Sequence, residues 1–301
     1  MTALDRPAGV AVDGDRDARG SRPVRRERGV VNFLSHGFLL FWGALTVLPL
    51  LWMFLSSFKS NAEIIADPWG LPGALRFDNW ARAWGEAHIG RYFLNSAVVV
   101  TGSVALTMLM GATAAYVFAR YEFRGRQLAY YLFVGGLMFP VFLALVPLFF
   151  VVRNAGLFGT WTGLVLVYAA YSLPFTVFFL TAFFRTLPTS VAEAALVDGC
   201  GHFRLFFRVM LPMARPGLVS VALFNFLSHW NQFLLPQVLL QGDDSKWMLA
   251  QGLAALSISQ GYAGDYAQLF AGLTIAVVPV LLVYLIFQRQ VQTGLTAGQL
   301  K

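Results

Sequence analysis

The stretch Glu193–Pro212 reads EAALVDGCGHFRLFFRVMLP. It separates two of the longest apolar runs in the chain, 154–184 and 216–242, and neither run holds an Asp, Glu, Lys or Arg. Glu193, Asp198, His202, Arg204 and Arg208 make the segment between them polar. Upstream, Ser190-x-x-Glu193 fits a capping box, in which each side chain reaches the other residue's backbone amide. A helix then runs through Ala194, Ala195, Leu196 and Val197, and Gly199 after Asp198 is a natural stop, because glycine takes the left-handed conformation without strain. A second short helix starts near His202. Phe203, Phe206, Phe207 and Met210 fall at i, i+3, i+4 and i+7 on one apolar face, with Arg204 and Arg208 on another. Pro212 ends it, and Pro216 opens the next apolar run, where a first-turn proline is tolerated. The segment 185–215 is thus a helix, a glycine turn and a helix. Such an element either lies on lipid headgroups as a re-entry loop or docks a soluble partner.

The rest of the composition places this segment at a membrane. Of 301 residues, 57% are hydrophobic and 12% charged, with mean hydropathy +0.63. A soluble domain carries about 25% charged residues. The basic balance, +7 with a pI near 9.8, does not point to nucleic acid, because the Lys and Arg residues flank apolar runs and form no basic-aromatic surface. The single cysteine, Cys200, excludes an intramolecular disulfide and reads as a small packed residue. A spanning helix needs about 20 apolar residues. Six stretches free of Asp, Glu, Lys and Arg qualify: 29–58, 92–119, 127–152, 154–184, 216–242 and 266–288. A shorter one, 247–264, carries Gln251, Ser257, Ser259 and Gln260 and reads as an interfacial or partly buried helix outside the core. The fold class is all-α, a polytopic membrane protein with six transmembrane helices.

Lys and Arg residues bias loops toward the cytoplasm. With six spans and the N-terminus inside, 16 of the 22 fall in the cytoplasmic segments 1–28, 120–126, 185–215 and 289–301. The chain is then a multi-pass protein of the cell membrane with both termini cytoplasmic and 185–215 as a cytoplasmic loop. Residues 1–30, rich in Arg, Asp and Gly without apolar periodicity, read as a disordered cytoplasmic tail, and 31–301 as one transmembrane domain.

The pattern Glu193-Ala194-Ala195, three residues, Gly199, nine residues, Val209, one residue, Leu211-Pro212 resembles the cytoplasmic loop signature of the membrane subunits of binding-protein-dependent ABC importers. LPLLWMFLSSFK (48–59), YFLNSAVVV (92–100) and the tail GLTAGQLK (294–301) resemble the second permease subunit of maltose-type carbohydrate importers. The resemblance implies that the loop is a coupling helix, with Glu193, Ala194, Ala195, Asp198, Gly199, Leu211 and Pro212 docking on a cytoplasmic ATPase. It further implies a second permease subunit as heterodimer partner, two ATPase subunits, an external solute-binding protein, and a sugar or oligosaccharide as cargo. No cofactor is expected on this chain, since ATP is used by the partner ATPase subunits. The residues agree: the three lysines Lys59, Lys246 and Lys301 follow no G-x-x-x-x-G, and neither G-x-S-x-G nor H-E-x-x-H occurs.

Within 216–242, Asn225, Ser228, His229 and Gln232 fall at i, i+3, i+4 and i+7. Such a polar stripe avoids lipid and faces either neighbouring helices or a wet solute path. The family often has an acidic residue after the Trp-Asn pair, where this chain has Gln232. Tyr168, Tyr171 and Ser172 share a face in 154–184 and read as packing. The alternatives are a secondary transporter of a small polar solute and an importer permease for a non-sugar solute. The spans lack the Asp, Glu or Arg that an ion-coupled carrier keeps in its membrane core, which favours an ATP-driven pathway.

Overall fold

Runs of Leu, Val, Phe and Ala broken by few polar residues can cross a bilayer only as helices, which satisfy their own backbone. Among the described residues every regular element is a helix. The computed structural model describes residues 25–296, so the N-terminal tail before Arg25 and the last five residues of the GLTAGQLK motif lie outside the described residues. The chain divides into two units, Met1–Leu50 and Leu51–Lys301. The first carries most of α1 (Arg25–Ser56), which starts inside the stretch expected as a tail. In it the Thr46 hydroxyl donates to the Trp42 carbonyl at 2.9 Å, a local bond that keeps a polar group satisfied within the helix.

In the second unit, α2 (Asn61–Ala66) and α3 (Asp78–Gly85) lead into α4 (Ile89–Arg120). Then come α5 (Arg126–Leu137), a 3₁₀ turn with α6 (Leu145–Asn154), and α7 (Trp161–Thr186). The polar segment holds α8 (Thr189–Val197), α9 (His202–Arg204), a π-helix (Leu205–Met210) and α10 (Leu211–Met213). α11 (Arg215–Trp230), α12 (Leu234–Leu239), α13 (Leu249–Ala263) and α14 (Tyr266–Thr296) complete it. Among the described residues four helices are long and apolar enough to cross a membrane, and up to six if each of two bent pairs is one span. The protein is an all-α polytopic membrane protein.

Three expected spans differ from the helices observed. The run 127–152 is bent by 92° between α5 and Val141–Asn154. Pro140 has an extended backbone, lacks an amide and disfavours helix at Phe139, so the apolar run breaks where its composition is unbroken. The run 154–184 begins its helix only at Trp161, where the Thr160 hydroxyl accepts the Gly163 amide at 3.0 Å, after turns with positive φ at Gly156 and Gly159. The run 216–242 stops at Trp230 and resumes at Leu234.

The helix in 247–264 is partly buried, as expected, but its buried side belongs to the core and is not outside it. Leu249 and Leu256 of α13 are buried with Ile89, Tyr92 and Trp230. Two residues of α4 fix this position. Asn95 donates from Nδ2 to the Ser245 and Trp247 carbonyls at 2.9 and 2.8 Å, and Ser96 Oγ accepts the Leu249 amide at 2.8 Å. The Asn-Ser pair of YFLNSAVVV therefore caps the start of α13. At the same end, the Arg82 guanidinium pairs with Asp265, and Asn61 bonds both Asp265 and the Ala267 amide, strapping α2 and α3 to the start of α14. Here a capping box does form, between Ser60 and Glu63. The Ser60 amide and hydroxyl beside the Glu63 carboxylate hold it below the usual carboxylate range. The box therefore stabilises the fold above the ordinary carboxylate pKa and loses that contribution as pH falls through the lowered one.

Replacing Asn95 by Ala removes both donors and leaves two carbonyls unpaired. The expected cost is about 1–3 kcal/mol, read as a lower melting temperature of the detergent-solubilised protein. Leu94→Ala, on the exposed side of the same turn (59% exposed), should change it little. Equal melting of the two variants would show that Asn95 carries no such load.

Candidate functional site

Two places follow from the polar segment and the polar stripe. The segment begins at Pro188, whose extended backbone sets the start of α8 one residue ahead of Ser190. Ser190 is therefore already helical, no side chain caps the helix, and the expected Ser190–Glu193 box is not formed. The C-terminal end meets expectation: Gly199 has φ +77. The Gly199 amide donates to the Leu196 carbonyl at 3.0 Å, and the Cys200 amide to the Ala195 carbonyl at 2.9 Å. This pair of bonds is a complete Schellman motif. Glu193, Ala194, Asp198 and Gly199 face outward, while Ala195 and Cys200 pack on the core below.

Past the turn, the apolar face is not the one the period predicts. Leu205, Phe206 and Met210 are buried, whereas Phe203 is 85% exposed and Phe207 48%. The cause is the π-helix over Leu205–Met210, in which residues five apart align, so Leu205 and Met210 share the inner side. The buried rings sit on α4 and α7: Phe206 lies 4.9 Å from Tyr116, and Tyr116 lies 5.6 Å from Phe184. Tyr121 Oη meets His202 Nδ1 at 2.9 Å, and Arg120 donates to the Phe184 and Leu187 carbonyls at 2.9 and 2.5 Å. Pro212 does not end the helix. It occupies the first turn of α10, and the chain bends by 77° at Ala214 directly into α11. Leu211 is half-buried and Pro212 exposed.

The stripe on α11 splits. Asn225 and His229 are each 2% exposed and hydrogen-bonded to neighbouring helices, and Asn225 also borders the cavity lined by Ser228 and Gln232. Asn225 Nδ2 donates to Thr176 Oγ1 at 2.9 Å. The His229 ring stacks on Tyr168 at 4.7 Å and bridges two serines, with Nδ1 2.8 Å from Ser103 Oγ and Nε2 2.7 Å from Ser172 Oγ. Ser103 donates its own proton to the Val100 carbonyl at 3.0 Å. His229 therefore donates from Nδ1 to Ser103, and its Nε2 meets the Ser172 hydroxyl. These partners lie on stripes four residues apart: Ser103, Thr107 and Gly111 on α4, and Tyr168, Ser172 and Thr176 on α7. A Cβ at Gly111 would lie 2.4 Å from Thr176 Cγ2, so only glycine allows this approach of the two helices.

Ser228 and Gln232 line a cavity of about 510 Å³, together with Tyr171, Phe175 and Phe139. Gln232 reaches it from the break after α11, where its Oε1 accepts the Leu234 amide at 3.2 Å, and not from the helical stripe. The 138–140 break supplies the opposite wall through Phe139 and Pro140. The unbroken apolar composition of 127–152 hides this wall, though Gly135-Gly136 and Pro140 mark it in the sequence. Tyr171, read as packing, is 43% exposed in the cavity, while Tyr168 and Ser172 are buried as expected. Aromatic rings with a few convergent hydroxyl and amide groups suit a hydroxyl-rich solute.

A family model described as binding-protein-dependent transport system inner membrane component matches residues 107–296. The chain belongs to this family, the membrane subunits of binding-protein-dependent ABC importers. The match takes in both the polar segment and the cavity. The chain is 56% identical over 265 residues to the diacetylchitobiose uptake system permease protein NgcG of Streptomyces coelicolor, covering 88% of this chain and 87% of that one. It is 32% identical over 255 residues to the trehalose transport system permease protein SugB of Mycobacterium tuberculosis, covering 85% and 92%. In fold it matches a chain of a bacterial ABC transporter involved in the import of the acidic polysaccharide alginate, with TM-score 0.75 at 19% identity over 90% of this permease and 99% of that chain.

Gln232→Leu removes a polar group from the cavity without adding charge. In a reconstituted importer it should lower solute uptake while ATPase stimulation is largely kept. His229→Ala instead leaves two buried serines without their shared partner, and should lower yield, uptake and ATPase activity together. Parallel loss of uptake and ATPase activity in Gln232→Leu would place Gln232 with the packing residues.

Proposed function

We propose that this permease forms half of the membrane pathway of an importer for a sugar or oligosaccharide, and that a separate ATPase drives it through the segment 185–215. The observation that carries the coupling reading is the two-sided build of that segment. Its outward side presents Glu193, Ala194, Asp198 and Gly199 on a helix closed by a Schellman turn. Its inward side, Leu205, Phe206 and Met210, is locked into the core of α4 and α7. Small Ala residues allow close approach of a partner, Gly199 permits the turn, and Leu211-Pro212 leads into α11 at the 77° bend. A push on the outer side is thereby transmitted to the helix that borders the cavity.

The partners in this reading are a second permease subunit, two cytoplasmic ATPase subunits that use ATP, and an external solute-binding protein. The bias of basic residues puts 185–215 and both termini in the cytoplasm and 243–265 outside. The solute class rests on the diacetylchitobiose and trehalose systems of the relatives and on the aromatic and polar lining of the cavity. Uptake of radiolabelled diacetylchitobiose into cells carrying the whole importer tests it, and uptake that is unchanged on deleting this permease would remove that sugar from the reading.

Gly199→Val puts a β-branched residue at φ +77, where it is strained. Both Gly199→Val and Glu193→Ala should insert normally yet lose most ATP-driven uptake. Wild-type uptake in both would refute the coupling role. For orientation, a cysteine at Gly242 should react with an impermeant thiol reagent in intact cells and one at Thr186 should not; the reverse pattern would invert the topology.

A further inference from the structure

A second cavity, of about 670 Å³, opens between the start of α5 and the last turn of α7, on the end of the helices that carries the 185–215 segment. Its walls include Glu122, Arg126, Gln127, Tyr130, Tyr131 and Arg185. The Arg185 guanidinium lies over the Tyr130 ring, 5.6 Å from its centroid. Among the described residues Arg126 pairs with the Glu122 carboxylate alone, 3.9 Å away and 96% exposed. A pair this long and this wet contributes little, so both guanidinium groups keep planar donors free for an anion.

The surroundings change character along one turn of α5. Leu128 and Leu132 are 68% and 71% exposed, and Tyr131 58%. Arginines at the mouth, tyrosines beside them and exposed leucines along the helix reproduce the gradient from headgroup to hydrocarbon. Basic pockets between transmembrane helices recognise lipid headgroups through such contacts. We infer that this cavity binds the phosphate of an anionic phospholipid, with Arg126 and Arg185 as its ligands and the leucines of α5 along its acyl chains. A soluble phosphate would satisfy the arginines equally but leave the leucines uncovered, and for this reason the lipid is the assigned source. Bound there, the phosphate ties the N-terminus of α5 to the C-terminus of α7, three residues before the segment turns at Pro188.

The test is a titration of the full-length protein in detergent with phosphatidylglycerol, followed by melting temperature and by native mass spectrometry of retained lipid. The wild type should show a saturable rise with phosphatidylglycerol and a much smaller one with phosphatidylcholine. R126Q/R185Q should require roughly tenfold more phosphatidylglycerol. R126K/R185K, which keeps the charge but not the planar fork, should fall between the two and guards against a folding defect. R124Q, at an exposed arginine outside the cavity wall, should bind as the wild type. Equal responses to the two lipids, or equal losses in R124Q and R126Q/R185Q, would overturn the site. A full shift reproduced by inorganic phosphate alone would overturn the lipid as its occupant.

Discussion

Polar side chains buried between membrane helices must find their partners on other helices, and this constraint fixes the register of α4, α7 and α11. Asn225 meets Thr176, and His229 meets Ser103 and Ser172, so three hydrogen bonds link one helix to two others. Each such bond adds only about 0.6 kcal/mol on average in a membrane protein. A slip of one turn would leave the buried groups unpaired, at about 1–3 kcal/mol each. The network therefore discriminates between registers more than it stabilises the fold. Gly111 makes it possible, because the α4 backbone comes close enough to Thr176 for α11 to reach both. The Tyr168 and Thr181 hydroxyls find no partner among the described residues.

That fixed trio gives the two functional places a common frame. The cavity lies where α7 and α11 meet the break at 138–140, and Ser172 belongs both to the His229 bridge and to the cavity wall. The polar segment hangs on the other end of the same helices through Tyr116, Phe184 and Phe206. A π-helix is a local widening that often marks a functional site, and here it turns Leu205 and Met210 inward together. The outer half of the segment is then free to contact something else without disturbing the core.

Several features were readable because they depend on local chemistry. Apolar length set the helical class and most of the spans. Gly199 announced a left-handed stop, since a turn closed by bonds from Gly199 and Cys200 back to α8 needs that backbone and glycine takes it at no cost. The spacing from Glu193 to Pro212 carried the family. Other features were misread for equally physical reasons. Ser190 had the residue type of a cap, but Pro188 started the helix first. The heptad-like phenylalanines assumed α-helical spacing, which the π-helix does not keep. Gln232 was counted onto a helix that ends at Trp230.

The sequence by itself determined what the membrane demands: an all-α, multi-pass chain with a charged, glycine-broken segment between two apolar runs. These are consequences of solvation and of single-residue backbone preference, which act without regard to distant contacts. Only the tertiary structure decided which polar residues face a neighbour and which face a cavity. Asn225, Ser228, His229 and Gln232 have the same spacing signal, yet Asn225 and His229 are held by serines and a threonine up to 126 residues away, and Asn225 also borders the cavity that Ser228 and Gln232 line. Likewise Asn95 and Ser96 cap α13 across some 150 positions. A polar side chain states only that it needs a partner; which one it finds depends on where the helices pack.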